Sequence, residues 1–236
     1  MAARNPFTAR AVKSRRGGPV KPPLSRDAIV RAALDLLQRE GLEGMSLRKV
    51  AAALDTGAAS LYAYVDDLRA LQALVLDRAL AGVDTAPRGR SAWRDRLAAV
   101  LRSHFHVLVK NPGLAQLAMK AIPAGPNALR VLETLLALLE EAGVDGPTAA
   151  WAVDLMLLYV TGGAVEQSLR RDDPDPLGLL AQQIGAVTAS EHPRIHAARG
   201  ELVSGDGDAR FEWALEVLLA GILDTPRAVR RPTRAP

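Results

Sequence analysis

The chain has 236 residues, 49% hydrophobic and 24% charged, enough to bury a core in one or two domains and too apolar for an extended disordered protein. It has no cysteine, which excludes disulfides, thiolate metal sites and a cysteine nucleophile. The formal charge of +4 is unevenly placed: residues 1–50 carry 11 Lys/Arg against 4 Asp/Glu, an asymmetry that points to a nucleic-acid-facing end or to a solubilising tail.

Residues 1–24 hold Arg4, Arg10, Lys13, Arg15, Arg16 and Lys21 and no acid, with helix-breaking Gly17, Gly18, Pro19, Pro22 and Pro23, a composition that predicts a disordered basic arm. No apolar run follows it, so no signal peptide is expected. Ser25 is a good N-cap and Asp27 suits the first turn of a helix whose apolar stripe is Ile29, Ala33, Leu36 and Leu37, closed by Gly41. Ser46 caps a second helix with Val50, Ala51 and Leu54 inward and Arg48 and Lys49 near its exposed start. A turn at Asp55–Gly57 leads to a short third helix, Ala58 to about Tyr64, and a fourth follows from about Asp67 to Val83.

Thr85–Arg90 looks like a linker, and helices dominate beyond it. Trp93, Leu97, Val100, Leu101, His104 and Leu108 form one stripe, ending at Asn111-Pro112. A short helix is expected over Gly113–Ala121, and a leucine stripe runs from Leu129 to Leu139. Thr148–Arg171 is apolar nearly all round at first, the mark of a buried helix. Leu177–Ser190 is moderately helical, 191–207 reads as a loop with some helix, and Phe211–Ile222 is amphipathic before a basic tail, 226–236. With no strand or repeat, the expected class is all-α. The segment Ala152–Val160 is too short to span a bilayer and contains Asp154, so a cytoplasmic protein without a membrane partner is expected.

Residues 46–65 fit a helix-turn-helix, in which the second helix enters the DNA major groove; paired short helices also occur in ordinary bundles. The wording "AALDLLQREGLEGMSLRKVAAALDTGAASLYAYVDDLRAL" closely resembles the N-terminal domain of the tetracycline-repressor (TetR/AcrR) family of bacterial regulators. "NPGLAQLA", "LYVTGGAVEQ" and "FEWALEVLLAGIL" resemble one C-terminal branch of that family more loosely. The resemblance implies a DNA-binding domain at 25–84, a ligand-binding and dimerisation domain at 85–225, and a homodimer on a near-palindromic DNA operator, usually released by a small-molecule effector. It also implies that the helices near 148–170 and 208–223 form the dimer bundle.

The same resemblance suggests roles by position. Arg48 would read a guanine, its guanidinium fork matching O6 and N7. Ser46 and Lys49 lie at the same helix start, where Ser46 either caps the helix or meets a phosphate. Ala58, Ala59 and Ser60 open the recognition helix, and Tyr62 and Tyr64 would touch phosphate or pack inward. Three departures stand out. Asp55 replaces the family's turn glycine, Thr56 replaces an apolar residue, and Leu68, preceded by Asp66 and Asp67, stands where a phosphate-binding lysine is common.

No catalytic constellation, cofactor motif or metal set emerges; Pro193 lies between His192 and His196, so their four-residue spacing is a weak metal signal. Candidate effector-pocket residues are His104, Phe105, Met119, Trp151, Met156, Tyr159 and Glu166, each of which would serve equally as core. The sequence therefore reads as a ligand-responsive repressor and not an enzyme. The alternatives are a regulator without a small effector, or a helical ligand-binding or scaffold protein whose DNA domain has degenerated.

Overall fold

The hydroxyl of Ser25 accepts a hydrogen bond from Ala28 N at 3.1 Å and starts α1, Arg26–Gly44. Gly41 interrupts the helical path inside α1 with φ 69° and ψ −172°, backbone that only glycine adopts readily. Ser46 then caps α2, Leu47–Ala53, accepting from Lys49 N. A turn leads to α3, Ala58–Leu61, and the Asp67 carboxylate caps α4, Leu68–Leu80, through Ala70 N at 2.7 Å. Ile29, Leu37, Val50, Leu61 and Leu71 are fully buried where these four helices pack.

The computed structural model describes residues 5–8, 23–86, 92–111, 113–170, 175 and 177–227. Most of the expected basic arm, linker and basic tail lies outside them. Every regular element among the described residues is helical. The chain divides into two compact units, Met1–Ser168 and Leu169–Pro236.

The first unit continues with α5 (Trp93–Lys110), α6 (Leu114–Lys120), α7 (Pro126–Glu141) and α8 (Gly146–Leu169). Gly113, with φ 78°, begins α6 hard against the Gly41 kink of α1. A Cβ on Gly113 would stand 2.7 Å from Leu42 N and 3.0 Å from Leu37 Cδ1. α8 is long and apolar enough to cross a membrane by length and composition alone. Ala152, Val153, Met156, Val160 and Ala164 nevertheless form a buried stripe, as in the core helix of a soluble protein, while Trp151, Leu155 and Leu158 face outward.

The second unit contains α9 (Gly178–Ala186), α10 (Pro193–Leu202) and α11 (Gly207–Asp224). The stretch 191–207, expected as a loop with some helix, contains the whole of α10. Pro193 occupies the first turn of α10, where its missing N–H costs nothing, so this proline starts a helix rather than breaking one. The His196 ring lies 2.8 Å from an Arg199 nitrogen. On α11, Phe211, Leu215, Leu219 and Ile222 are buried, and Trp213 and Val217 are exposed.

Candidate nucleic-acid interface and internal cavity

The turn between α2 and α3 is built on Asp55, the one non-glycine residue with positive φ (48°) among the described residues. Asp55 N donates to Ala52 O at 3.0 Å and Thr56 N to Ala51 O at 2.9 Å, the paired bonds that close a helix through a left-handed residue. Aspartate tolerates this conformation better than most side chains, which is how the segment keeps a tight turn without glycine. Asp55→Gly should preserve the turn and leave thermal stability unchanged or raised by up to about 1 kcal/mol, whereas Asp55→Val should lower it by about 1–2 kcal/mol. Parallel melting curves compare the two; equal curves would remove the special role given to this position.

Beyond the turn, Ala59, Ser60 and Tyr62 are exposed, and Tyr62 retains 55% of its accessible surface. Ala58 is half-buried. Leu61, Tyr64 and Val65 point inward, a spacing of three and four that anchors the short helix. Of the two placements expected for it, phosphate contact and inward packing, Tyr64 takes the inward one. It is 8% exposed, and its hydroxyl donates to Leu24 O at 2.8 Å, tying the segment before α1 to the end of α3.

Arg48 and Lys49 are exposed on the first turn of α2. Lys49 Nζ pairs with Glu40 Oε2 at 2.6 Å, and this bond holds the Glu40 carboxyl below its usual range. Both partners are half in water, so a DNA phosphate can exchange with Glu40. Arg48, Lys49, Ala59, Ser60 and Tyr62 are thus exposed on α2, α3 and the residue after it, and Ser46 is committed to the α2 cap. Asp67 has a structural duty as the cap of α4 and is no sign of a decayed DNA surface.

A cavity of about 460 Å³ lies in the same unit. Its walls are Leu76 and Leu80 of α4, His104 of α5, Met119 and Ile122 at the end of α6, Val131 of α7, and Val153 and Thr161 of α8, among others. Of the seven candidate pocket residues, His104 and Met119 line it. Phe105, Trp151, Met156, Tyr159 and Glu166 are not among its lining residues. Phe105 lies instead near Gly163, where an added Cβ would be 3.6 Å from its ring, and Met156 is fully buried. Trp151 and Glu166 are exposed. Tyr159 is partly buried, and burial followed by the Glu166 charge raises its phenol pKa. His104 is 5% exposed, and its Nδ1 is a buried atom without a hydrogen-bond partner. Burial pushes this imidazole from its ordinary 6.5 down to about 4, so it is neutral at pH 7.

Reciprocal bonds at their ends tie the cavity wall to α4. The α7 N-cap is Gly125, which has no capping side chain, and Pro126 has no N–H. Asp77 of α4, buried to 7% exposure, supplies the cap from outside: Oδ1 accepts from Asn127 N at 2.9 Å and Ala128 N at 3.1 Å, and Oδ2 from Asn127 Nδ2 at 2.9 Å. In return, an Arg130 guanidinium nitrogen of α7 lies 3.3–3.4 Å from the carbonyls of Leu80, Ala81 and Val83 at the end of α4. Asp77 is not among the site residues expected from sequence. The available signal was a helix start with neither a capping side chain nor an N–H at its first position, which needs an acceptor from elsewhere.

Comparison with known proteins gives two family matches: "Bacterial regulatory proteins, tetR family" over residues 29–66 and "Tetracyclin repressor-like, C-terminal domain" over residues 86–225. The chain is 32% identical over 225 residues to the HTH-type transcriptional repressor DrrR1 of Streptomyces coeruleorubidus, covering 92% of this chain and 83% of that one. Its fold matches apo ActR of Streptomyces coelicolor with a TM-score of 0.81 and 34% identity, over 87% of this chain and 97% of ActR. It also matches the complex of ActR with actinorhodin, with a TM-score of 0.78 and 35% identity over 85% and 96% of the two chains.

Proposed function

Because the chain belongs to the TetR family, and is thus a DNA-binding transcriptional regulator rather than an enzyme, we infer that it is a cytoplasmic repressor released from its operator by a polycyclic, hydroxylated organic molecule. The carrying observation is that one compact unit holds both the exposed start of α3 and a cavity whose wall includes α4, the helix following α3. Repressors of this family act as dimers on DNA operators, and the outward Trp151 and Leu155 give α8 an apolar face for a second copy. Two recognition helices would then meet half-sites about one helical turn apart. Arg48 and Lys49, with Ala59, Ser60 and Tyr62, are the proposed contacts.

The ligand class follows from the lining. A cavity of this volume with mostly aliphatic walls takes a drug-sized apolar body, and the neutral His104 ring offers a hydrogen bond without a charge. A phenol or enol hydroxyl suits this ring, and Lys120 and Asp154, which also line the cavity, can meet a polar edge of the same molecule. ActR, which this chain resembles over most of its length, is known in complex with actinorhodin. Ligand binding represses or releases only through unequal affinity for the two dimer geometries.

His104→Phe should keep the fold and weaken binding of actinorhodin, used as the probe, about 10-fold, matching loss of one buried hydrogen bond. His104 should add no pH dependence between pH 6 and pH 8, because it is neutral throughout, so the ratio of wild-type to His104→Phe affinity should stay constant over that range. Native His104 titrates near 4 and its unfolded counterpart near 6.5, so its contribution to stability is complete above pH 6.5 and falls as the pH drops toward 4. Calorimetric titration at several pH values tests the affinity; no binding by actinorhodin or a panel of related polycyclic phenols would refute the ligand class.

A further inference from the structure

Phe7 belongs to a segment that precedes the DNA-binding helices, yet its ring reaches the wall of the cavity-bearing helices. Asn5–Thr8 forms a short turn, with Phe7 N donating to Asn5 Oδ1 at 2.9 Å. Pro6 and Phe7 are half-buried. Gly125, the N-cap of α7, is itself buried. A Cβ placed on Gly125 would fall on the Asp77 carboxyl and stand 2.5 Å from Phe7 Cε1. The aromatic ring therefore lies on the glycine start of α7, beside the carboxylate that receives the Asn127 and Ala128 amides.

That place is mechanically special. Asp77 sits between Leu76 and Leu80 of α4, and Ala128 and Val131 follow it on α7; all four line the cavity. Three hydrogen bonds to one carboxylate hold the two walls together there. Water competes with such bonds, and an apolar ring laid over them excludes water and lowers the local dielectric, so opening the junction becomes costlier. Glycine at 125 is what allows the ring and the carboxyl to approach so closely.

We propose that residues 5–8 are an intramolecular seal on the α4–α7 junction, with Phe7 as its plug, and that the seal sets how strongly cavity occupancy is felt by the DNA-binding helices. The role rests on the ligand-responsive reading above. The seal adds nothing to the cavity lining and lies outside the proposed DNA contacts. It therefore affects transmission: with the plug removed, the effector still binds and the DNA surface is intact, but movement of the α7 start is taken up by a loose junction instead of passing to α4.

Phe7→Ala and Phe7→Leu in the full chain test this without altering charge. The first readout needs no ligand: hydrogen exchange of the Asn127 and Ala128 amides should be at least 10-fold faster in Phe7→Ala and intermediate in Phe7→Leu. The second compares binding with release. Affinity for the gene's own upstream DNA and for actinorhodin should each stay within about 3-fold of wild type, while the actinorhodin concentration for half-release of DNA rises at least 10-fold. Wild-type exchange rates in Phe7→Ala overturn the seal. A release shift no larger than the binding shift overturns its role in transmission. If actinorhodin fails to bind the wild type, the ligand class is wrong, and the exchange rates alone decide whether residues 5–8 seal the junction.

Discussion

Ala59→Glu should weaken specific DNA binding at least 100-fold while leaving the fold untouched. Ala59 is exposed on the first turn of α3, where the proposed surface meets the groove. A carboxylate there faces two phosphate backbones, and that repulsion opposes the counterion release that drives association. The same carboxylate is favoured by the helix, because acids in the first turn complement the dipole. Loss of binding with an unchanged or raised melting temperature thus separates function from stability. Arg48→Ala, which removes the guanidinium fork and keeps the Ser46 cap, should cost about 10- to 100-fold and flatten the preference between operator and random DNA. Fluorescence anisotropy on the gene's upstream DNA reads both. An Ala59→Glu chain that still binds within 3-fold of wild type would move the recognition surface off α3.

The second large effect is expected at Asp77. Substitution by alanine strands the Asn127 and Ala128 amides and the Asn127 side chain at a helix start with no substitute cap. A lost cap costs about 1 kcal/mol and buried unsatisfied donors about 1–3 kcal/mol, so Asp77→Ala should lose about 2–4 kcal/mol in denaturant unfolding. Asp77→Asn retains one acceptor oxygen and should lose roughly half as much. The functional signature is separate: Asp77→Asn should respond to actinorhodin less steeply than wild type at equal ligand affinity. Asp77→Ala as stable as wild type would mean that water caps α7 equally well and the carboxylate does not hold the junction.

The DNA-binding half was legible in the sequence because its signals are local. Ser25 and Ser46 cap the helices expected of them, Gly41 breaks α1, and Asp55 takes the positive-φ position in its turn. Tyr64 was less legible: its spacing from Leu61 fits an inward stripe, but the deciding fact is its bond to Leu24 O, forty residues away. The cavity was harder still. α8 is apolar on nearly every side, so periodicity does not say which stripe faces a void and which faces core or a second copy. The cavity stripe is Ala150, Val153, Asp154, Leu157, Leu158 and Thr161, which omits the large residues that composition singles out on that helix, Trp151, Met156 and Tyr159. His104 was accessible because a histidine in an otherwise apolar stripe must be satisfied, charged or exposed to a cavity, and it is the last. Asp77 and Phe7 act on a helix fifty or more residues away in sequence, and only the fold brings them together.

If α3 reads DNA sequence and the cavity governs it, DNA selection and its loss must follow these two parts of the molecule. The most direct measurement is capture of sheared genomic DNA by the purified full chain, with and without saturating actinorhodin, with Ala59→Glu in parallel. The wild type should enrich a few near-palindromic sites and lose that enrichment with ligand, and Ala59→Glu should enrich none. Wild-type capture no more selective than that of Ala59→Glu would contradict it.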